Sequence, residues 1–386
     1  MVELCSAEKC TGCGACYNCC PREAISMQED GEKFLRPVID ANLCVECRLC
    51  QRACPVINPI PKHDKADRPI ALVHKDRKIL LESTSGGAFS LMACWIIDRG
   101  GVIYGAMMTD AFDVCHVRVS RKEELAVLRG SKYAQSNTNS TFRQVKTDLE
   151  DGKYVLYTGT PCQIAGLIRF LGCADFERLY TVDLVCLGTP SVGMFKIYLE
   201  KLAQYRGLNT PPHIRNFRFR QTENWGLDPS FEHAGRRILC ENEDRVYLLL
   251  FHSGHLHRPC CYSCQYTSPE RVSDVTIADF WGIGTRREFP YDVKNGCSLV
   301  LTNTEKGQDL FKNITVDADF DYRDWNETRG NHQLYAPSIR PKDREKAIES
   351  LFNDPIERVY AKFFNTPIIR IKKIVGKILK IIGIWK

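Results

Sequence analysis

Cys10, Cys13, Cys16 and Cys20 are each followed, 34 positions later, by Cys44, Cys47, Cys50 and Cys54. Both runs read C-x2-C-x2-C-x3-C, and both end in proline, Pro21 and Pro55. Thiols at this spacing point to iron–sulfur chemistry. A cubane needs four thiolates around one small inorganic core; a tight loop supplies three, and the fourth comes from elsewhere. In a doubled run of this form the fourth Cys reaches the other cluster. Cys10, Cys13, Cys16 and Cys54 are therefore expected to hold one 4Fe–4S cluster, and Cys44, Cys47, Cys50 and Cys20 the second. Zinc or inert thiols are the lesser readings, because packing alone hardly produces two copies of such a run. Pro21 and Pro55 stop the loop after the crossing ligand. Gly12 and Gly14 are expected to let backbone approach the sulfurs. The second loop has Glu46 and Leu49 instead, so the halves are expected to differ in potential. Cys5 and Cys19 fall outside the repeat and read as small buried thiols.

Four more cysteines are candidates for a third cluster: Cys162 in TGTPCQIAG, Cys186 in VDLVCLG, and the C-x2-C pair Cys261 and Cys264. Two cysteines at strand ends plus one such pair suit a 4Fe–4S site. Zinc fits the same count, and buried structural cysteine is the plainer reading. Cys260 adjoins the pair as a substitute, and His252, His255 and His257 read as core or surface residues. Small residues also gather where strands meet helices, at 83–87, 129–133 and 158–162. Such turns offer N–H groups to a phosphate or diphosphate, although loop glycines are common. There is no G-x-G-x-x-G, so a Rossmann dinucleotide site is not supported.

The N-terminal stretch to residue 57 resembles the two-cluster bacterial ferredoxin module. Further on, STSGGAFS (83–90), LRGSKYAQSN (128–137), TGTPCQIAGL (158–167), DLVCLGTPS (183–191), FRFRQTENWG (217–226) and CYSC…SDVTIADFWGIG (261–284) occur in that order. Together they resemble the family of coenzyme F420 hydrogenase/dehydrogenase beta subunits over roughly 70–340. The resemblance implies an FAD-binding α/β domain, a mixed sheet with flanking helices, carrying its own cluster. It places flavin contacts at Ser85, Gly86, Gly87, Gly130, Ser131, Lys132, Tyr133, Gly159, Thr160 and Pro161. Lys132 and Tyr133 become candidate proton donors or anion contacts; ordinary turn residues are the plainer reading. The family's VCHG reads Val185-Cys186-Leu187-Gly188 here, so any role of that His is lost. Members pass electrons between clusters and a flavin and on to a second substrate such as a deazaflavin or tetrapyrrole. Clusters carry single electrons and a flavin exchanges pairs, so the expected activity is an iron–sulfur flavoprotein oxidoreductase. An electron-relay subunit and a redox sensor are the alternatives. The implied partners are a redox donor or acceptor protein or a deazaflavin-type cofactor.

These sites need elements to hold them. Residues 1–57 form the expected ferredoxin-like α+β domain. Pro-rich residues 58–69 read as a linker, 70–340 as the flavin and iron–sulfur domain, and 341–386 as a helical tail. Strands are expected at Ile70–His74, Val102–Met107, Tyr154–Thr158 and Tyr180–Val185. Helices are expected at Gly86–Arg99, Glu123–Leu128, Thr141–Asp151 and Ile164–Leu171, and a β-rich stretch at 213–250. In FRFRQ, period two puts Phe217 and Phe219 inward and Arg218 and Arg220 outward, which disfavours a nucleic-acid patch.

At 386 residues and 44% hydrophobic the chain has an ordinary globular composition. Its 20 cysteines sit behind no apolar leader, so reduced thiols and a cytoplasmic setting are expected. The net charge of +6 becomes −2 once the eight Lys/Arg of 358–386 are set aside. Residues 366–386 put Ile371, Ile374, Val375, Ile378, Ile382 and Trp385 at helical spacing beside Arg370, Lys373, Lys377 and Lys380. That pattern is too charged to span a bilayer. It suits peripheral contact with an anionic membrane surface at the cytoplasmic face, or a partner subunit.

Overall fold

The computed structural model describes residues 2–208, 213–221 and 225–365. The N-terminal module is small. β1 (Ile25–Glu29) pairs antiparallel with β2 (Leu35–Ile39), Ile25 opposite Ile39. The Asp30 carboxylate accepts from the Glu32 and Phe34 N–H groups and closes the hairpin turn. Two short helices, α1 (Ala15–Cys19) and α2 (Leu49–Arg52), each follow the first part of one cysteine run.

The main domain is built on an eight-stranded mixed sheet. Its strands are β3 (Ile70–His74), β4 (Val102–Met108), β5 (Val114–Val119), β6 (Val155–Gly159), β7 (Leu179–Leu184), β11 (Val275–Asp279), β12 (Ser298–Thr302) and β13 (Ala318–Tyr322). The order is β13-β3-β12-β11-β7-β6-β4-β5. The central run β4, β6, β7, β11 is parallel, and antiparallel pairs flank it on both sides. Buried parallel strands are apolar on both faces. In β6, Val155 and Tyr157 point to one face and Leu156 to the other, each into a different apolar cluster.

One face is covered by α4 (Ala88–Ile97) and α9 (Glu305–Ile314), with α3 (Arg77–Glu82) beside β3. Met92 and Ile96 meet Leu310 and Ile314 over Ile103, Leu156 and Val182. The other face is covered by α5 (Thr141–Glu150) and α6 (Pro161–Phe170). The N-terminal module packs there too, its Cys13 and Ala15 sharing the apolar cluster of Tyr157, Ile164 and Leu167.

A third lobe joins α7 (Val192–Tyr205), a small sheet of β8 (Arg215–Arg218), β9 (Ser230–His233) and β10 (Arg236–Leu239), and α8 (Val246–His252). It also includes α10 (Arg344–Asn353) and α11 (Ile356–Phe364), whose Leu351, Ile356 and Val359 are buried against α7 and α8. The first part of the expected tail is therefore a packed part of the body. Residues 366–386, read above as a basic amphipathic helix, lie outside the described residues. Among the described residues no helix is long and apolar enough to cross a membrane.

The expected strands appear within a residue or two. Glu123–Leu128 falls within a 3-10 stretch, Lys122–Leu128, and the β-rich stretch 213–250 ends in α8. The linker is tied down. Arg169 donates to the Asn58 and Pro59 carbonyls, His63 N–H to the Arg271 carbonyl, and Trp325 Nε1 to the Ala66 carbonyl. In the third lobe Phe195 is fully buried, its ring centroid 4.8 Å from that of Phe219 and 5.1 Å from that of Phe217. Phe195→Ala is expected to destabilise the chain by about 3–5 kcal/mol, read as an earlier urea midpoint with an unchanged slope.

Candidate iron–sulfur and electron-transfer site

Two cavities in the N-terminal module are ringed by thiols. One is lined by Cys10, Cys13, Cys16 and Cys54 together with Cys5. The other is lined by Cys20, Cys44, Cys47 and Cys50. The crossing of the fourth cysteine is therefore present in the backbone path: Cys54 faces the first run and Cys20 the second. Apolar residues fill in around the sulfurs, Leu4, Met27 and Val56 at the first cavity and Val2, Ile25 and Ile39 at the second. Among the described residues no three metal-binding side chains converge on a point suited to one ion. Burial pushes the Cys13 thiol up to about 12 and Cys16 well above the ordinary range. Sulfurs so placed carry negative charge when a metal takes it up. Cys5 is more than a bystander: it lines the first cavity beside Cys10 and Cys54 and adds a fifth thiol to it. Cys19 lies outside both rings, its thiol on the Cys16 carbonyl.

The glycines of the first run have a different purpose from the one expected. The 34-residue offset pairs Gly12 with Glu46 and Gly14 with Arg48, not Leu49. All four have positive φ: 66° and 79° for the glycines, 54° and 59° for their counterparts. The loop conformation therefore accepts side chains. What forbids them in the first run is the main domain. A Cβ on Gly12 would lie 2.7 Å from Arg258 Nη2, and one on Gly14 would collide with Thr138 Oγ1. The second run faces outward, with Val45, Glu46, Cys47 and Arg48 exposed.

The main domain brings Cys162, Cys186, Cys261 and Cys264 together. Cys162 stands in the first turn of α6 and Cys186 just past the end of β7. Cys261 and Cys264 sit in and just after the turn Pro259–Ser263. Burial pushes Cys162 and Cys186 well above the ordinary thiol range, and each is raised further by charge on others of the set. The turn before α6 is rigid. Thr160 N–H donates to Gln163 Oε1 at 3.0 Å in a capping box, and Thr160 Oγ1 lies 3.2 Å from Cys162 Sγ. His116 braces the same turn, Nε2 being 2.8 Å from the Thr158 carbonyl; burial lowers it to about 4, so the ring is neutral. One turn along α6, a Cβ on Gly166 would lie 2.9 Å from Cys13 Sγ. A single helix thus touches a first-cavity cysteine and carries a cysteine of the third set.

Sequence reasoning missed the arginines that hold these loops. Arg271 is buried, paired with fully buried Asp183 at 3.1 Å, and donates to the Tyr266 and Leu184 carbonyls. It clamps the C-x2-C loop to the end of β7. Arg258 does the same between the first run and the third set. Their only sequence signal is a basic residue a few positions from a cysteine.

The polar turns divide into two kinds. The 83–87 and 129–133 turns meet, with Thr84 Oγ1 3.1 Å from Ser131 Oγ. Ser85 Oγ donates to the Cys297 carbonyl, and Gly87 caps α4 at φ 84°. Gly130 also has positive φ, with open space where a Cβ would be. At 159–161 the Thr160 donors are engaged in the capping box, so this turn holds Cys162. Lys132 Nζ donates to the carbonyls of Val127, Leu128 and Arg129 and closes the 3-10 stretch; burial lowers it to about 7. Tyr133 stacks on Phe251 at 4.8 Å, and burial raises its phenol. The alternation in FRFRQ breaks at its end. Arg218 is exposed as expected, but Arg220 is 2% exposed and pairs with Asp279 at 2.6 Å. Asp279 ends β11 and also accepts from Trp225 Nε1, and Trp225 stacks on Trp281 at 4.9 Å. The outward expectation for Arg220 is corrected: a carboxylate at a strand end draws it inward.

Two thiol-ringed cavities with crossed fourth ligands define an iron–sulfur electron-transfer protein. Residues 9–58 match the 4Fe–4S dicluster domain, and residues 152–327 match the C terminus of the coenzyme F420 hydrogenase/dehydrogenase beta subunit. Residues 152–327, behind the dicluster domain, thus carry the C-terminal domain of that family of beta subunits. An uncharacterized ferredoxin-like protein of Haemophilus influenzae is 34% identical over 91 residues, 20% of this chain and all of that one. One of the subunits of the F(420)H(2) dehydrogenase of Methanosarcina mazei is 24% identical over 184 residues, 44% of this chain and 51% of that one. A chain of the F420-reducing NiFe hydrogenase complex from Methanosarcina barkeri superposes with a TM-score of 0.48 at 16% identity, over 78% of this chain and 92% of that one.

The crossing predicts which losses add. Cys54→Ser combined with Cys13→Ser should cost about four irons, the same as either alone; Cys54→Ser with Cys47→Ser should cost about eight. Iron per chain after anaerobic loading reads this directly, and additive losses for Cys54 with Cys13 would refute the pairing.

Proposed function

We propose that the chain is an iron–sulfur flavoprotein oxidoreductase, which moves electrons between an external redox protein and a two-electron substrate. The observation that carries the proposal is helix α6. Its Gly166 is closed by Cys13 of the first cavity, and its first turn presents Cys162. Electrons entering at the outward-facing second cavity would pass to the first, then to a third 4Fe–4S cluster on Cys162, Cys186, Cys261 and Cys264. The third set suits such a cluster: four half-buried thiols from three segments, with Cys162, Cys186 and Cys264 raised by burial and by charge on others of the set.

FAD is the proposed acceptor, and it supplies the exchange between single electrons and a hydride. The residues present suit a dinucleotide diphosphate at the 83–87 and 129–133 turns. Ser85, Gly86 and Gly87 precede the N-terminus of α4, and hydroxyls of Thr84 and Ser131 face one another there. Helix N-termini and facing hydroxyls favour a phosphate. Gly130 leaves room above this contact. Lys132, held by three carbonyls, braces the back of the turn, and Tyr133 offers a neutral phenol. Gly159, Thr160 and Pro161 serve the cluster side of the same edge. The second substrate is proposed to be a hydride-exchanging cofactor of deazaflavin type. A second reading, a relay subunit without its own substrate chemistry, is favoured by the Methanosarcina mazei relative, which is one part of a larger dehydrogenase. All twenty cysteines are free thiols, in keeping with a reducing, cytoplasmic setting.

Cofactor content after anaerobic purification tests the proposal. About 12 irons with matching sulfide and one FAD per chain are expected, with Cys162→Ser falling to about eight irons. About eight irons and no flavin in the wild type would leave the dicluster domain alone and favour the relay reading.

A further inference from the structure

Four arginines are the largest fully buried side chains of the described residues: Arg258, Arg271, Arg323 and Arg344. Three have carboxylate partners: Arg271 with Asp183 at 3.1 Å, Arg323 with Glu327 at 2.6 Å and Arg344 with Glu32 at 2.6 Å. Arg258, at 1% exposure, pairs with no carboxylate among the described residues. Its guanidinium meets neutral groups alone. Nε donates to Gln135 Oε1 at 2.9 Å, Nη1 to the Cys10 carbonyl at 3.3 Å and Nη2 to the Leu35 carbonyl at 3.0 Å. The Phe34 ring lies beneath it at 4.7 Å.

A buried cation with no counter-charge is unfavourable. The anions within its reach are cysteine sulfurs on both sides. Cys10 feels its charge from the N-terminal module, and Cys260 and Cys261 from the main domain. Cys261 N–H is also held by the Arg258 carbonyl at 2.9 Å. Gly12 has no Cβ where the guanidinium sits.

The other cations nearby are already neutralised. Arg36, also on the Cys10 carbonyl, pairs with Asp30 at 2.8 Å. Arg143, on the Cys20 carbonyl, pairs with Glu23 at 2.9 Å. Arg22 and Arg48 at the second cavity are exposed, where water screens them.

We propose that Arg258 is the shared counter-ion of the first and third clusters, a positioning residue that raises both reduction potentials relative to the second. A tetrathiolate cluster is anionic overall, because four thiolates outweigh the core, and it becomes more so when reduced. A fixed buried cation therefore favours the reduced form. An electron passing inward oxidises the second cluster and reduces the first, and Arg258 makes that direction the downhill one. The statement about the third cluster rests on the ligand set proposed above; the statement about the first does not.

Redox titration of the anaerobically loaded full chain, followed by electron paramagnetic resonance, tests this. Arg258→Gln removes the charge, and the first cluster's midpoint should fall by a tenfold change in its reduction equilibrium or more, 59 mV for one electron. The second cluster should move less. Arg258→Lys keeps the charge and should stay near wild type. A Gln variant with full iron and unmoved midpoints would overturn the proposal, as would a Lys variant shifted as far as the Gln variant. If the Gln variant takes up no iron, Gly12→Ala decides, because its Cβ pushes the guanidinium aside with the charge retained. A negative shift is expected, and an unmoved midpoint would count against Arg258. A wild-type count of about eight irons would remove the third cluster from the proposal, while the first cluster's shift still judges Arg258.

Discussion

Where Cys13 meets Gly166, the two halves of the chain come closer than any side chain on α6 would allow. Much else in the arrangement follows from that contact. It seats the first cavity against α6 and the sheet face that carries Tyr157, so the module shares the main domain's core. Arg169, one turn further along α6, takes the carbonyls of Asn58 and Pro59 and fixes where the linker departs. A tethered module would have to meet the main domain by diffusion; this one is packed against it. Single electrons move well over short, rigid, dry separations, and close packing supplies rigidity and dryness together.

The internal repeat acts as its own control. Both cysteine loops adopt the same left-handed positions, and only the copy facing the main domain has glycine there. Backbone conformation alone would tolerate the Glu46 and Arg48 of the outer copy, at the modest strain of positive φ in non-glycine residues. The inner copy gives up those side chains so that Arg258 and Thr138 can approach. The asymmetry visible in the sequence therefore reports which cavity is buried at an interface and which is open to a partner. Its bearing on potential runs through the neighbours that the glycines admit.

Much of the site was legible because its constraints are local. Three thiols around a small core impose a short spacing. The helix after β6 was expected only from Ile164, but it begins at Pro161, because Thr160 and Gln163 cap it and so place Cys162 in its first turn. Ile70–His74 and the core of β6 read as strands because both of their faces are buried. What stayed hidden depends on distant partners. Arg220 follows an alternating pattern outward until Asp279, 59 residues later, pulls it in. The Pro-rich linker looks free in composition, yet Arg169 and Trp325 hold it. Helices α10 and α11 read as a tail because the lobe they complete is assembled from α7 and α8, far earlier in the chain.

The chemistry collects at one edge of the sheet for a topological reason. Parallel strands β4, β6, β7 and β11 all end there, and the carboxyl ends of such strands open a crevice in which ligands bind. Cys162 follows β6, Cys186 follows β7, and Asp279 ends β11. The antiparallel strand β12 then begins at the same edge, placing Cys297 and Ser298 beside Ser85. That insertion lets β3, whose chain direction matches the central strands, bring its 83–87 turn to the common edge from the far side. A sheet with the same residues but without β12 would have to seat β3 directly against β11. The turn that meets Ser131 would then lie one strand closer to the end of β7, which Cys186 follows. The antiparallel insertion thus sets the spacing along the edge between the cysteines that follow β6 and β7 and the 83–87 turn.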